Sequence, residues 1–184
     1  IPCMVMLCDR MFNLGLDLFD ATVNDGSPDS RFVSWQGQGQ WVRRLAPDTL
    51  LLLRGSVQLT NDALMTLEQF GLGGQSTVRG YRQDQLLTDS GAIASLELRL
   101  PLARDRASGG LLQLTPFVEV GHGWNSKALD PDPNTLASLG MGLLYQQADL
   151  SARLDWGIPL ISVGDRGNTL QENGVYFSFS YSFF

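Results

Sequence analysis

The sequence lacks several features that would place it in a common class of protein. Its 184 residues contain no run of about 18 apolar residues, which excludes a readable transmembrane helix. Charged residues make up 17% of the chain, below the roughly 25% of ordinary soluble domains. Acidic residues outnumber basic ones, and the net charge of −6 argues against nucleic acid as a partner, because nucleic acid favours a basic face.

Residues that carry chemistry are also scarce. His122 is the single histidine, and no nucleophile or metal ligand pairs with it in a motif. We therefore expect no enzymatic activity, no metal site and no cofactor. Cys3 and Cys8 could form a local disulfide in an oxidising compartment or stay unpaired. The chain begins at Ile1 without a methionine or a signal peptide, so we expect it to be a fragment of a longer precursor.

The chain is rich in alternation between polar and apolar residues. In one segment Leu150, Leu154 and Trp156 alternate with polar neighbours, and such a period of two predicts a two-faced strand. About eight segments show the pattern: Arg10–Asp20, Arg31–Arg44, Thr49–Thr60, Ala92–Leu102, Leu112–Trp124, Ala137–Gln147, Ala148–Ile158 and Gly174–Phe184. Lengths of roughly 10 to 14 residues exceed the usual strands of globular sheets and suit tilted membrane strands.

The two faces of these strands favour a membrane barrel over a soluble one. Ionisable residues recur on the polar face, at Arg54, Glu97, Arg99, Glu119, Asp149, Arg153 and Asp155. Tryptophans near strand ends on the apolar face, at Trp35, Trp41, Trp124 and Trp156, resemble an interfacial girdle. A soluble β-sandwich or lipocalin-like barrel also alternates. We favour an all-β, antiparallel transmembrane β-barrel.

One connection, residues 61–90, is far longer than the others. Connections beyond about 12–15 residues are uncommon and are usually functional or disordered. This one contains Gly71, Gly73, Gly74 and Gly80, which permit positive φ angles or close backbone approach. It also contains Val78, Arg79 and Tyr81, large groups that need partners. We predict a loop that folds back into a confined space and docks by its tip.

Three motifs resemble those of one family. Phe70-x-Leu72-Gly73-Gly74-x-x-x-Val78-Arg79-Gly80-Tyr81 resembles the signature loop of two-partner secretion transporters, the haemolysin secretion/activation proteins of the outer-membrane protein 85 superfamily. Phe117-x-Glu119-x-Gly121 is similar to a Phe-x-Asp-x-Gly strand of that family, with glutamate where aspartate is usual. The end of the chain, Phe179, Tyr181, Phe183 and Phe184, resembles an aromatic-ended strand recognised during barrel assembly, where a single terminal aromatic is customary.

The resemblance implies an architecture and a function. Family members have a sixteen-strand barrel preceded by periplasmic domains, so residues 1–184 are expected to be the C-terminal part of one barrel, without the periplasmic domains. The implied function is export of a secreted partner protein, of adhesin or haemolysin type, across a bacterial-type outer membrane. Outer-membrane lipid and the barrel assembly machinery are the other expected partners. A barrel assembly factor or insertase of the same superfamily and a porin-like barrel stay open as alternatives.

The resemblance also implies one contact. In the family the loop folds into the lumen and its arginine pairs with the acidic residue of the Phe-x-Asp-x-Gly strand. The alternation here independently places Glu119 on the polar face. A guanidinium can hold a carboxylate with two charge-assisted hydrogen bonds. We therefore predict that Arg79 pairs with Glu119 and fixes the loop tip for secretion.

Overall fold

The computed structural model describes residues 4–14, 32–105, 107–164 and 167–182. These residues form eleven strands: β1 (Met4–Leu14), β2 (Val33–Ala46), β3 (Thr49–Thr60), β4 (Phe70–Leu72), β5 (Leu86–Thr88), β6 (Ser90–Arg104), β7 (Leu111–Leu114), β8 (Phe117–Trp124), β9 (Thr135–Gln147), β10 (Leu150–Pro159) and β11 (Val175–Tyr181). Within the same ranges there is no helix that could cross a membrane.

Nine strands form one antiparallel sheet in which chain neighbours pair. The order is β1, β2, β3, β6, then β7 and β8 side by side along the strand direction, then β9, β10 and β11. Both β7 and β8 pair with β6 on one side and β9 on the other. The remaining strands, β4 and β5, form a separate hairpin inside the long loop. The predicted all-β, antiparallel fold is confirmed.

Two predicted strands had wrong bounds. The segment Leu112–Trp124 is interrupted between β7 and β8, because Pro116 has no backbone N–H for the ladder. The break keeps its hydrogen bonds: Leu98 N donates to the Pro116 carbonyl at 3.0 Å. The first strand begins at Met4 rather than Arg10, since it pairs with β2 along its whole length; positions 15–20 lie outside the described residues. The other six predicted strands agree closely with the structure.

The two faces of the sheet are inverted relative to a water-soluble protein. One face is apolar and exposed, with Leu53, Leu96, Val118, Val120, Leu139, Leu143, Leu154, Trp156 and Phe177. The opposite face is polar and buried, with Ser95, Glu97, Gln113, Glu119, Ser138 and Asp155. Strands that separate lipid from a polar lumen need this arrangement. Phe179 and Tyr181 of the predicted assembly signal belong to the exposed apolar face, whereas Phe183 and Phe184 lie outside the described residues.

The long loop packs against the polar face and encloses a small apolar core there. Leu72, Val78, Tyr81 and Leu136 form this core. Gly121 on β8 makes room for it: a Cβ at that position would lie 2.7 Å from the Leu72 side chain and 3.0 Å from that of Val78. Apolar contacts therefore hold the loop against the polar face of the sheet.

Candidate functional site

The two ends of the long loop are tied together where it leaves the sheet. Thr60 N donates to Ser90 Oγ at 3.0 Å, and Ser90 Oγ donates to the Thr60 carbonyl at 3.2 Å. The buried Asp89 carboxylate accepts from Leu64 N and from Ser126 N, each at 2.9 Å. The base of the loop is therefore fixed to the sheet and to the β8–β9 connection.

A second link joins the same two connections at their surface. The Lys127 ammonium donates to the Asp62 carboxylate at 3.1 Å. This hydrogen bond lowers the pKa of the Asp62 carboxyl from its ordinary value. The pair is exposed, so its contribution to stability is small; it marks proximity of the two connections rather than a strong restraint.

A tight turn aims the loop tip at the polar face. Gly73 and Gly74 have φ angles of +106° and +98°, and a Cβ on Gly73 would lie 2.5 Å from the Arg82 carbonyl oxygen. Gly74 N donates to the Val78 carbonyl at 3.2 Å, and Thr77 Oγ1 donates to the Gly73 carbonyl at 2.8 Å. The turn needs glycine at both positions, and the chain that leaves it runs into the buried residues 78–81.

Arg79 is the centre of the site. Its side chain is 1% exposed and lies among carboxylates from three strands. Glu119 on β8 receives three of its hydrogen bonds, from backbone N at 2.7 Å, Nε at 3.0 Å and Nη2 at 2.5 Å. Nη1 donates to Glu97 on β6 at 3.2 Å and to Asp155 on β10 at 3.1 Å. The guanidinium carbon lies 3.4 Å from the centroid of the Phe117 ring, a cation–π geometry.

The buried carboxylates are shared among several arginines. The network consists of Glu97, Glu119, Asp155, Arg54, Arg79, Arg99 and Arg153. Arg153 donates to Glu97 and to Asp155, each at 2.6 Å, and Arg99 donates to Glu97 at 3.0 Å. Every carboxylate of the cluster therefore has a cationic partner, which burial of charge requires. No group of three or more ligating side chains in the described ranges is arranged for a metal ion.

The residues after Arg79 hold the outer part of the tip. The Tyr81 hydroxyl lies 2.8 Å from the Ala137 carbonyl on β9 and 3.0 Å from the Ile161 carbonyl beyond β10. Gly80, at φ +102°, donates its N–H to the Tyr176 hydroxyl at 2.9 Å, and that hydroxyl donates to the Tyr81 carbonyl at 2.5 Å. The tip thus contacts every strand from β6 to β11 except the short β7.

The structure brings together most of the residues predicted from the motifs. Arg79 and Glu119 are in contact, and Phe117 lies against the guanidinium. The loop residues Phe70 and Leu72 form β4 and face the apolar core. The contact predicted from the resemblance is present; its role in secretion stays a prediction. Phe179 and Tyr181 lie on the opposite face and take no part in the site.

Sequence reasoning missed three contributors. Glu97 and Asp155 were recognised as ionisable residues of the polar face but not as partners of Arg79. Tyr176 was not singled out at all. Its signal was available, because it is an aromatic residue on the polar side of a strand whose other side carries Val175, Phe177 and Phe179.

Open space with a lining of mixed polarity lies beside the loop. One cavity of about 510 Å³ separates the turn of the loop from the polar sides of β1–β3 and β6. Its mixed lining includes the hydroxyl and amide groups of Gln38, Gln40, Ser56, Ser76 and Thr77. A second cavity of about 320 Å³ lies between β1–β3 and the loop near β4 and is lined in part by Gln36, Gln58 and Gln69.

Comparison with known proteins gives consistent matches. The family model for haemolysin secretion/activation proteins of the ShlB/FhaC/HecB type matches residues 4–145. The outer membrane transporter CdiB of Escherichia coli O6:K15:H31 is 26% identical over 157 residues, covering 82% of this chain and 26% of that protein. A second Escherichia coli CdiB sequence has the same identity and coverage. The chain therefore spans about a quarter of the length of the curated relatives it matches.

A solved structure agrees in fold. CdiB from Escherichia coli matches with a TM-score of 0.76 and 23% sequence identity, over 96% of this chain and 33% of that structure. This likeness supports the strand arrangement described above.

Proposed function

Because the chain belongs to the haemolysin secretion/activation family of outer-membrane proteins, we propose that it is part of a transporter that exports a secreted partner protein through its β-barrel. The observation that carries the proposal is the buried ion network that fastens Arg79 to Glu97, Glu119 and Asp155. An open porin does not need such a network. A transporter needs one if its loop must be held in one position and then released when the exported chain passes.

The two faces of the sheet support this assignment. The apolar face would contact outer-membrane lipid, and the polar face would line the route of the exported chain. An extended polypeptide carries unpaired backbone N–H and C=O groups that need hydrogen-bonding partners. Gln36, Gln38, Gln40 and Ser56 beside the loop can supply them without regard to sequence.

The chain is proposed to be the C-terminal part of one barrel domain, with residues 61–90 as its signature loop and the periplasmic domains outside it. The loop follows the third long strand, β3, as expected if the eight predicted strands are the second half of a sixteen-strand barrel. The final strand, β11, is proposed as the segment read by the barrel assembly machinery, because Phe179 and Tyr181 are 70% and 52% exposed.

The direct test of export is removal of the full-length transporter from its host. We expect a large secreted protein encoded beside it to accumulate in the periplasm and to return to the medium when the wild-type transporter is restored. Normal release of that protein without the transporter would contradict the proposed function. If several unrelated outer-membrane barrels instead fail to assemble when the transporter is removed, that result would indicate the insertase alternative.

Replacing Arg79 is expected to lower export while leaving the barrel assembled. In Arg79→Ala three buried carboxylates lose a partner, and loss of one member of a buried ion pair typically costs about 3–5 kcal/mol. We expect partner protein in the medium to fall by about tenfold or more, measured against the amount of folded transporter in the outer membrane.

The matched control is Arg82→Ala, which removes an exposed arginine three positions further along the same loop. That variant should export normally. Equal export by the two variants would show that the ion network has no part in secretion.

A further inference from the structure

The last strand of the sheet contacts the loop tip through one side chain. Within β11 Tyr176 is buried, whereas the side chains from Phe177 to Tyr181 are exposed. Its hydroxyl accepts from Gly80 N at 2.9 Å and donates to the Tyr81 carbonyl at 2.5 Å. One phenol therefore satisfies both a donor and an acceptor of the tip backbone.

The main chains of the loop tip, β10 and the start of β11 pack closely around that hydroxyl. A Cβ on Gly157 would lie 2.7 Å from Gly80 N, so the tip rests directly on β10. Gly174 has a φ of +75°, its carbonyl accepts from Gly157 N at 2.8 Å, and a Cβ there would lie 3.4 Å from Gly80 Cα. Three glycines therefore let the tip, β10 and the start of β11 converge.

The ion network does not reach this strand. The carboxylates that hold Arg79 lie on β6, β8 and β10, and Tyr176 is paired across the ladder with Asp155 but makes its own bonds to the tip. In the described part of the chain the Tyr176 hydroxyl supplies the hydrogen bonds that join the polar face of β11 to the loop tip.

We propose that Tyr176 is a positioning residue that couples the docked state of the loop tip to the last strand. When the tip leaves the polar face, Tyr176 loses both hydrogen-bond partners and β11 loses its hydrogen bonds to the loop. When β11 moves, the tip backbone loses partners for Gly80 N–H and the Tyr81 carbonyl, and buried groups left unpaired are costly. The proposal rests on the proposed function, since it assigns a regulatory contact to the same loop.

The test compares Tyr176→Phe with Tyr145→Phe in the full-length transporter. Both changes delete one phenol hydroxyl, but that of Tyr145 bonds to Gln147 near the other end of β9 and is not within reach of the tip. Each variant also carries Val78→Cys as a reporter, with Cys3 and Cys8 changed to serine. Val78 is fully buried when the tip is docked, so a water-soluble maleimide labels Cys at this position only after release.

We expect Tyr176→Phe to speed labelling by about tenfold or more over Tyr145→Phe, the effect of losing one or two buried hydrogen bonds. Folded-barrel mobility on unheated gels should stay unchanged. Equal labelling rates, or faster labelling accompanied by loss of the folded band, would overturn the proposal. The measurement needs no partner protein, so its failure is distinguishable from a failure of export.

Discussion

Glu119→Ala is expected to undock the loop tip almost completely. Glu119 accepts three hydrogen bonds from Arg79 and one from Ser95 Oγ at 3.0 Å. Its removal leaves the guanidinium buried with the two weaker contacts, to Glu97 and Asp155. A cost of about 3–5 kcal/mol lowers the ratio of docked to undocked loop by roughly two to four orders of magnitude. Partner export should fall below a tenth of the wild-type level, and channel openings in planar bilayers should become frequent.

Two further variants show whether the effect comes from charge. Glu119→Asp keeps the carboxylate but shortens it by one methylene, so we expect an intermediate loss of export. The double variant Glu119→Ala with Arg79→Ala removes both charges, and a double-mutant cycle with the two single variants isolates their interaction. The double variant should be no worse than either single one. Strictly additive losses would mean that the two residues act separately.

Gly157→Val is expected to exclude the loop tip by steric conflict alone. The new Cβ would lie 2.7 Å from Gly80 N and 2.8 Å from the Arg79 carbonyl carbon. Both are backbone atoms, so no side-chain rotation relieves the clash. Insertion of bulk into a packed site costs about 1–3 kcal/mol and more where the neighbours cannot shift. The charges of the network are untouched, yet we expect export to fall at least tenfold and conductance to rise.

The control for this change is Gly164→Val, because a Cβ at Gly164 has no neighbour within 4 Å. The two variants carry the same substitution in the same region of the chain. Heat-modifiability on gels reports whether each barrel folds, and bilayer recordings report whether the tip blocks it. Indistinguishable export by the two variants would argue against the docking geometry described here.

The extent of the strands could be predicted from the sequence because alternation is a local signal. Six strands followed it closely, and Thr49–Thr60 has the same bounds in both. The sequence shows the proline at position 116, but alternation predicts one continuous strand there because the residues on both sides keep the period of two. The start at Met4 depended on pairing with β2, a tertiary contact that alternation cannot report.

The sequence predicts the residues of the candidate site that a motif specifies. It does not predict the residues that only tertiary contacts bring to the site. The contact between Arg79 and Glu119 is predicted because each residue belongs to a recognisable motif. Alternation places Glu97 and Asp155 on the polar face, but no feature of the sequence distinguishes them from Asp149 or Arg99. Which acidic residues of a polar face meet a loop depends on where the tip lands, and that position follows from the glycines at 80, 157 and 174.

The closed base of the loop has a consequence for the rate at which the tip returns. Hydrogen bonds between Thr60 and Ser90 and around Asp89 hold the two ends of residues 61–89 together. A tip that leaves its seat therefore remains tethered, at an effective concentration that a short tether sets in the millimolar range. Recapture is an intramolecular event whose speed does not depend on how many transporters the membrane contains. Under the proposed function, a barrel of this kind would reseal itself once the exported chain has passed.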